Sequence, residues 1–410
     1  MEHSKRSRLS IILGSVSLVI LVGSQYINDI LNLYIGNDRG FFTPIIALAS
    51  ILGIIAIAAT RRIKVNKTVT SLVAILVIAF VMTNILQRGK STLSFVDFVG
   101  MCLLPIVLGA FLIIDYKLVF KGCMLLLVIA IPVYQRLFLK ANIGINYDAV
   151  SMSTSYDILP VTIAGLVHFL YFRKDSKIID KVLYIVSAIF SLSLIRMSYR
   201  GALLALVVTL ILAFYFQKRR DSLRNQLLFL TIAIVVIILL INYQAVLMGL
   251  SALLNKFGIR IAFIDKSVYL LANETTAHGR LDIYRKAIEG FWSSPMWGNG
   301  MATFQYYTNY PFPHNFILEF LFDGGLLLSV PLIGIFITAI RRLLRRTWDA
   351  PRYRFAFVLM IGSIAITRGL ISAESWRIVL LWLFLGLALN NTEMEDISYG
   401  QEQSQEELSL

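Results

Sequence analysis

Long apolar blocks alternate with short polar links along almost the whole of this 410-residue chain. About 20 apolar residues cross a bilayer as helix. On that rule, blocks fall at 9–26, 41–59, 69–86, 96–114, 118–138, 157–172, 179–195, 201–216, 225–241, 314–340, 353–371 and 375–389. The pattern predicts an all-α polytopic membrane protein of about 12 transmembrane helices, because helices satisfy their backbone hydrogen bonds internally, as hydrocarbon demands. The pattern breaks once. Between Asn242 and Pro313 lie about 70 residues without a clear span, far beyond an ordinary connection and of a size that tends to be functional. Inside that insertion, "GRLDIYRKAIEGFWSSP" carries Leu281, Tyr284, Ile288 and Phe291 at helical spacing, which predicts an amphipathic helix ending before Pro295. Its aromatic side is expected to lie down on the membrane boundary. The chain therefore divides into helices over 1–241, a loop over 242–313, helices over 314–389 and an acidic, Gln-rich, solvated tail over 390–410.

Composition agrees. The chain is 58% hydrophobic and 15% charged, with a mean hydropathy of +0.75, where soluble domains run near 45–50% and 25%. The net charge of +14 does not point to nucleic acid, because the basic residues cluster in the short links. Those clusters lie at Lys5–Arg8, Arg61–Lys67, Lys117–Lys121, Arg173–Lys181, Lys218–Arg224 and Arg341–Arg354. All fall on one side when the N-terminus is placed inside, which puts both termini in the cytoplasm and the large loop outside. Lys5, Arg6 and Arg8 could open a signal peptide, but no small-residue cleavage site ends the first block, so it reads as a retained helix. Cys102 and Cys123 lie in apolar blocks and read as small buried hydrophobes.

Candidate chemistry gathers at the outer face. The external basic residues are mostly arginines: Arg196 and Arg200, Arg280 and Arg285, Arg368 and Arg377. Each could simply snorkel to lipid phosphates. Several together could grip an anion, since guanidinium offers a planar fork that holds phosphate oxygens two at a time. Arg200 suits this best, because Gly201 behind it permits close approach. His168 lies inside a span and reads as a packed residue, and no His, Cys or carboxylate spacing suggests a metal site. His314 stands behind "PFP" at the head of a long apolar run. It could cap the helix, or accept a proton at neutral pH as a general base. Asn315 could orient the ring, bind a sugar hydroxyl or begin the helix. Glu319, about one turn on, could fix the imidazole tautomer or pair with Arg368 or Arg377.

"SYRGALLAL" (198–206), "GRLDIYRKAIEGFWSSPMWGNGMATF" (279–304) and "HNFILEFLFDGGLL" (314–327), in that order, resemble the bacterial O-antigen ligase and polymerase superfamily. Gly298, Gly300 and Phe304 match its Gly-x-Gly turn near the end of the large loop. The resemblance implies a GT-C-like, metal-independent, inverting glycosyltransferase of the bacterial inner membrane, needing no cofactor. Its donor would be an oligosaccharide on undecaprenyl pyrophosphate, and its acceptor a glycan or lipid A-core. A chain-length regulator is a further expected partner. By position, the pyrophosphate-binding arginines would be Arg200 and Arg280, with Arg196 and Arg285 as neighbours, and the catalytic histidine would be His314. Asn315, Glu319, Gly298 and Gly300 would support them. Many members carry glutamate before the glycine that ends the third motif, whereas here Asp323 precedes Gly324 and Gly325. Polymerase is the first reading and ligase the second. A transporter or flippase is the alternative from another class, but carriers usually show repeated halves with polar residues near the midplane, and no internal repeat is visible here.

Overall fold

Helix is the only regular secondary structure among the described residues of this computed structural model, which are 2–35, 41–60, 66–141, 155–197, 200–218, 243–258, 275–345, 352–372 and 374–391. The first half holds α1 (Glu2–Val22), α2 (Ser24–Ile35), α3 (Phe42–Thr60), α4 (Lys67–Leu86), α5 (Phe95–Phe111) and α6 (Tyr116–Ala141). Then come α7 (Leu159–Phe172), α8 (Ile178–Met197), α9 (Arg200–Lys218), α10 (Tyr243–Lys256) and α11 (Thr275–Ser293). The last are α12 (Phe304–Thr308), α13 (Phe316–Arg345), α14 (Arg352–Ile371), a 3₁₀ turn (Ser375–Arg377) and α15 (Val379–Leu389).

By length and composition, α3, α4, the helix over Ser155–Phe172, α13 and α14 can cross a membrane. The bent pair α1–α2 makes a sixth candidate, turning by 63° at Gly23. The stretches of α5, α9 and α15 are apolar but shorter. The chain is thus a polytopic membrane protein, all-helical among its described residues. The expected block 225–241 lies outside the described residues, as do 259–274 of the large loop and the tail from 392 onward. Every other expected block coincides with helical structure.

Short buried helices need close neighbours and satisfied ends. Gly109 of α5 and Gly386 of α15 meet backbone to backbone, and a Cβ on either would strike the other helix. Every residue of α15 is buried. The carbonyls left over at these helix ends cannot turn to water, so polar side chains supply the bonds. Asn66 Nδ2 donates to the Leu389 carbonyl at 2.6 Å, Asn390 Nδ2 donates to those of Gly109 and Leu112, and Arg354 donates to Asn390 O at 2.8 Å.

The helix expected over 279–294 is present and ends at Ser293, before Pro295. The face that packs on the protein is another one. Ile283 and Ala287 are buried with Phe304 and Phe322, and Gly290 lies against the Phe322 ring, while Leu281, Ile288 and Trp292 are exposed. A helix wedged between protein and surroundings has two apolar stripes, and residue spacing cannot tell which faces inward.

Candidate active site

His314 is positioned by the segment before it and the helix after it. Its backbone is left-handed, at φ 58°, a conformation few non-glycine residues adopt and one that marks functional sites. Oδ1 of Asn315 accepts the N–H groups of Ile317 and Leu318, so Asn315 caps α13. Of the roles expected for it, the capping one is what the geometry shows. Phe312 meets the imidazole edge-on, with ring centroids 4.3 Å apart. The Tyr310 hydroxyl donates to Oδ2 of Asp282 at 2.9 Å, and that bond, with the Arg285 and Lys286 charges, holds the Asp282 carboxyl below its ordinary range. Tyr310 thus ties the approach to His314 onto α11, two residues from Arg280.

The half-buried His314 ring is held neutral. Burial presses its pKa down from the ordinary imidazole value to about 4, and the Arg280 charge presses the same way. A neutral ring can accept a proton at neutral pH. Its Nδ1 is buried without a hydrogen-bond partner among the described residues. Glu319 does not orient it, contrary to the sequence expectation. That carboxylate accepts the Ser375 backbone N–H at 2.8 Å and also the Ser375 hydroxyl, so its partner is the 3₁₀ turn rather than His314, Arg368 or Arg377. Arg377 instead pairs with Glu374 at 3.1 Å and donates to Thr92 O at 2.8 Å.

The arginines separate. Arg280 is exposed on α11, within electrostatic reach of both His314 and Tyr156. Arg285 is not brought to them. Five residues further along a helix is about 140° around its axis, and there Arg285 pairs with Asp282 at 2.5 Å and Glu289 at 3.7 Å on the exposed face. Arg200 opens α9 and Arg196 lies in the last turns of α8; their side chains lie outside the described set. Gly201, directly after Arg200, packs against the hydroxyl end of Tyr156 and near Ser372, so α9 begins at the same cluster that senses Arg280.

That cluster was not expected from the sequence. Arg368 Nη1 meets Asp157 Oδ1 at 3.5 Å and donates to Gln25 at 3.0 Å, and its guanidinium stands 4.9 Å from the centre of the Tyr156 ring. Tyr156 is also hydrogen-bonded to Ser372. Gly369 lies against Phe316, the first residue of α13, which brings the Arg368 region beside His314. The polar "SYD" ahead of an apolar run (155–157) was the available signal.

Gly298 and Gly300 pack against α13 through their backbone. Both have positive φ, 69° and 100°, and a Cβ on Gly298 would strike the Asp323–Gly324 backbone. Asn299 N donates to Phe322 O at 2.9 Å and Gly300 N to Asp323 O at 2.7 Å. Here α13 breaks its regular geometry at Gly325, φ 55° and ψ −154°. Asp323, whose difference from the superfamily pattern left its role open, joins this turn to the core: its Oδ2 accepts from Ala302 N at 3.0 Å and Trp376 Nε1 at 2.5 Å. No group of three or more metal-ligating side chains is present among the described residues.

Fold and site define a class: a helical membrane protein with a left-handed histidine at the head of one long span, within electrostatic reach of Arg280. Residues 185–333, which contain Arg200, Arg280 and His314, match the family model described as O-antigen ligase. The match supports the place of this chain in the bacterial O-antigen ligase and polymerase superfamily. No curated protein matches the chain.

Proposed function

We propose that this protein is a glycosyltransferase of the bacterial inner membrane that moves an oligosaccharide from undecaprenyl pyrophosphate to a sugar hydroxyl on the periplasmic face. The observation that carries this reading is that the Arg280 charge is felt at the His314 ring, the two lying on segments tied together by Tyr310 and Asp282. In the proposed step the acceptor oxygen attacks the anomeric carbon, and its proton passes to the His314 imidazole. The bond from that carbon to the pyrophosphate oxygen breaks on the opposite face, with inversion. Arg200 and Arg280 stabilise the charge that grows on the leaving lipid pyrophosphate, in the manner of electrostatic preorganisation. The reaction draws on no metal or organic cofactor. Twelve spans with both termini cytoplasmic, and a GT-C-like arrangement, remain part of this proposal.

Polymerase stays the first reading, with another lipid-linked repeat unit as acceptor. The ligase reading, with lipid A-core as acceptor, is supported by the description of the matching family model. Purified protein in proteoliposomes, given defined lipid-linked repeat units with and without lipid A-core, separates the two: a ladder formed without the core is the polymerase result. The variant His314→Ala is expected to make no product while remaining folded, and normal product from it would remove the proposal.

A further inference from the structure

Two spans and a turn wall a groove away from His314. Helices α4 and α13 can both cross a membrane, and the turn around Gly298 and Gly300 closes the space between them. Ile78, Met82 and Leu86 of α4, Trp297 beside the turn, and Leu327 and Leu328 of α13 line it. The frame is held by hydrogen bonds: Met301 N donates to Thr83 Oγ1 at 2.9 Å, and Gly300 N to Asp323 O at 2.7 Å. Ile78, Met82, Leu86, Trp297 and Leu327 are exposed, so the groove opens along the flank of the spans, where the bilayer lies. Asp323, the acidic residue of the wall, is buried and bonded to Ala302 and Trp376.

Length decides what kind of chain fits. From Ile75 to Leu86, both in the wall, α4 rises about 16 Å at about 1.5 Å per residue. One leaflet of hydrocarbon is about 15 Å deep, half of a core of about 30 Å. The groove is therefore one leaflet long, which suits an acyl chain and is too short for a polyprenyl chain. Its cavity volume of about 240 Å³ lies below the about 300–1,000 Å³ of sites that engulf a whole ligand. It takes one chain and leaves the headgroup outside.

Charge decides the headgroup. Gln87 stands at the end of the groove, and the link after it carries Arg88 and Lys90. The Tyr307 hydroxyl donates to Gln87 Oε1 at 2.8 Å and accepts from Lys90 Nζ at 3.1 Å, so the ammonium is one hydroxyl away from the groove wall. Arg88 is exposed. Among the described residues neither cation pairs with a carboxylate. Basic residues beside a span attract anionic lipid, and phosphate suits both the guanidinium fork and the ammonium point charge. A headgroup carrying an ammonium of its own would add a third cation with no acid to meet it.

We propose that the groove between α4 and α13 binds one anionic phospholipid from the leaflet at its Gln87 end. The acyl chain lies against Met82, Trp297 and Leu327, and Arg88 and Lys90 hold the phosphate. Arg200, Arg280 and His314 are not among the lining residues, so the site goes beyond the glycosyl-transfer reading and does not rest on it.

The test uses the full chain in phosphatidylcholine vesicles, titrated with phosphatidylglycerol brominated along its acyl chains, which quenches an indole on contact. The Trp297 signal is the difference between wild type and Trp297→Phe. Half-quenching of that signal is expected at about one fifth, or less, of the amount of brominated phosphatidylcholine that gives it. Arg88→Gln with Lys90→Gln, both outside the core, is expected to bring the two lipids within about twofold. Unbrominated phosphatidylglycerol is expected to relieve the quenching, and equal amounts of undecaprenyl phosphate or inorganic phosphate are not. An equal response of the wild type to the two brominated lipids, or a preference that survives in the double variant, would overturn the site. Relief by undecaprenyl phosphate or by inorganic phosphate would overturn the assignment to a phospholipid.

Discussion

The Trp376 indole donates to Oδ2 of Asp323 at 2.5 Å, and that bond fastens the turn after α14 to the first third of α13. One helical turn earlier, Glu319 holds Ser375 of the same turn. Two acidic residues inside an apolar helix thus serve as struts, and the helix that follows His314 is braced from behind.

Trp376→Phe keeps most of the ring volume but leaves the Asp323 oxygen with only the Ala302 N–H. A buried polar atom that loses its partner costs about 1–3 kcal/mol. The thermal midpoint in detergent micelles is expected to fall accordingly, and an unchanged midpoint would contradict the strut.

The His314 ring works as a base only when unprotonated, and its pKa is held at about 4. Transfer measured as kcat/KM in proteoliposomes is therefore expected to stay level from neutral pH downward and to fall as pH drops toward 4. Arg280→Gln removes a charge that lowers this value, so the acid limb is expected to move upward, toward the ordinary imidazole range. Glu319→Gln is expected to leave the limb in place, because the carboxylate addresses Ser375. A limb that shifts in the Glu319 variant would restore the tautomer-fixing role.

Arg200→Lys keeps the charge and loses the two-pronged grip on phosphate. Transfer is expected to drop nearly as far as in Arg200→Ala, with the difference read from donor concentration series. Full activity in the lysine variant would reduce the role of Arg200 to charge alone.

Gly325 combines φ 55° with ψ −154°, a region that is essentially glycine's own and costs other residues about 1–3 kcal/mol. An added Cβ would also lie 2.6 Å from the backbone of Pro295 and Met296. Gly325→Ala is expected to lower the thermal midpoint and to loosen the Gly298–Gly300 turn, which limited proteolysis between Pro295 and Thr303 would report. Wild-type resistance would refute it.

Much of this architecture was legible before any coordinates. The spans announced themselves through length and hydropathy, the α11 stop through Pro295, and the Gly298–Gly300 turn through its two glycines. What escaped depends on partners far away in the chain. Nothing near Glu319 reveals that its partner is Ser375, and nothing near Asp323 points to Trp376. The packed face of α11 was not picked out in advance because Ile283 and Ala287 are no more apolar than Leu281 and Ile288, and only the surface of α13 chooses between them. The pairing of Arg285 lay within one helix, with Asp282 and Glu289 a turn to either side, and helical spacing alone would have revealed it.

The close meeting of Gly109 and Gly386 also dictates an order of assembly. The seat on α5 is synthesised well before the helix that fills it. Until that last piece inserts, its anchors, Asn66 and the carbonyls capped by Asn390, wait for partners. A chain broken off before Val379 therefore loses the keystone of this layer and not merely a fringe.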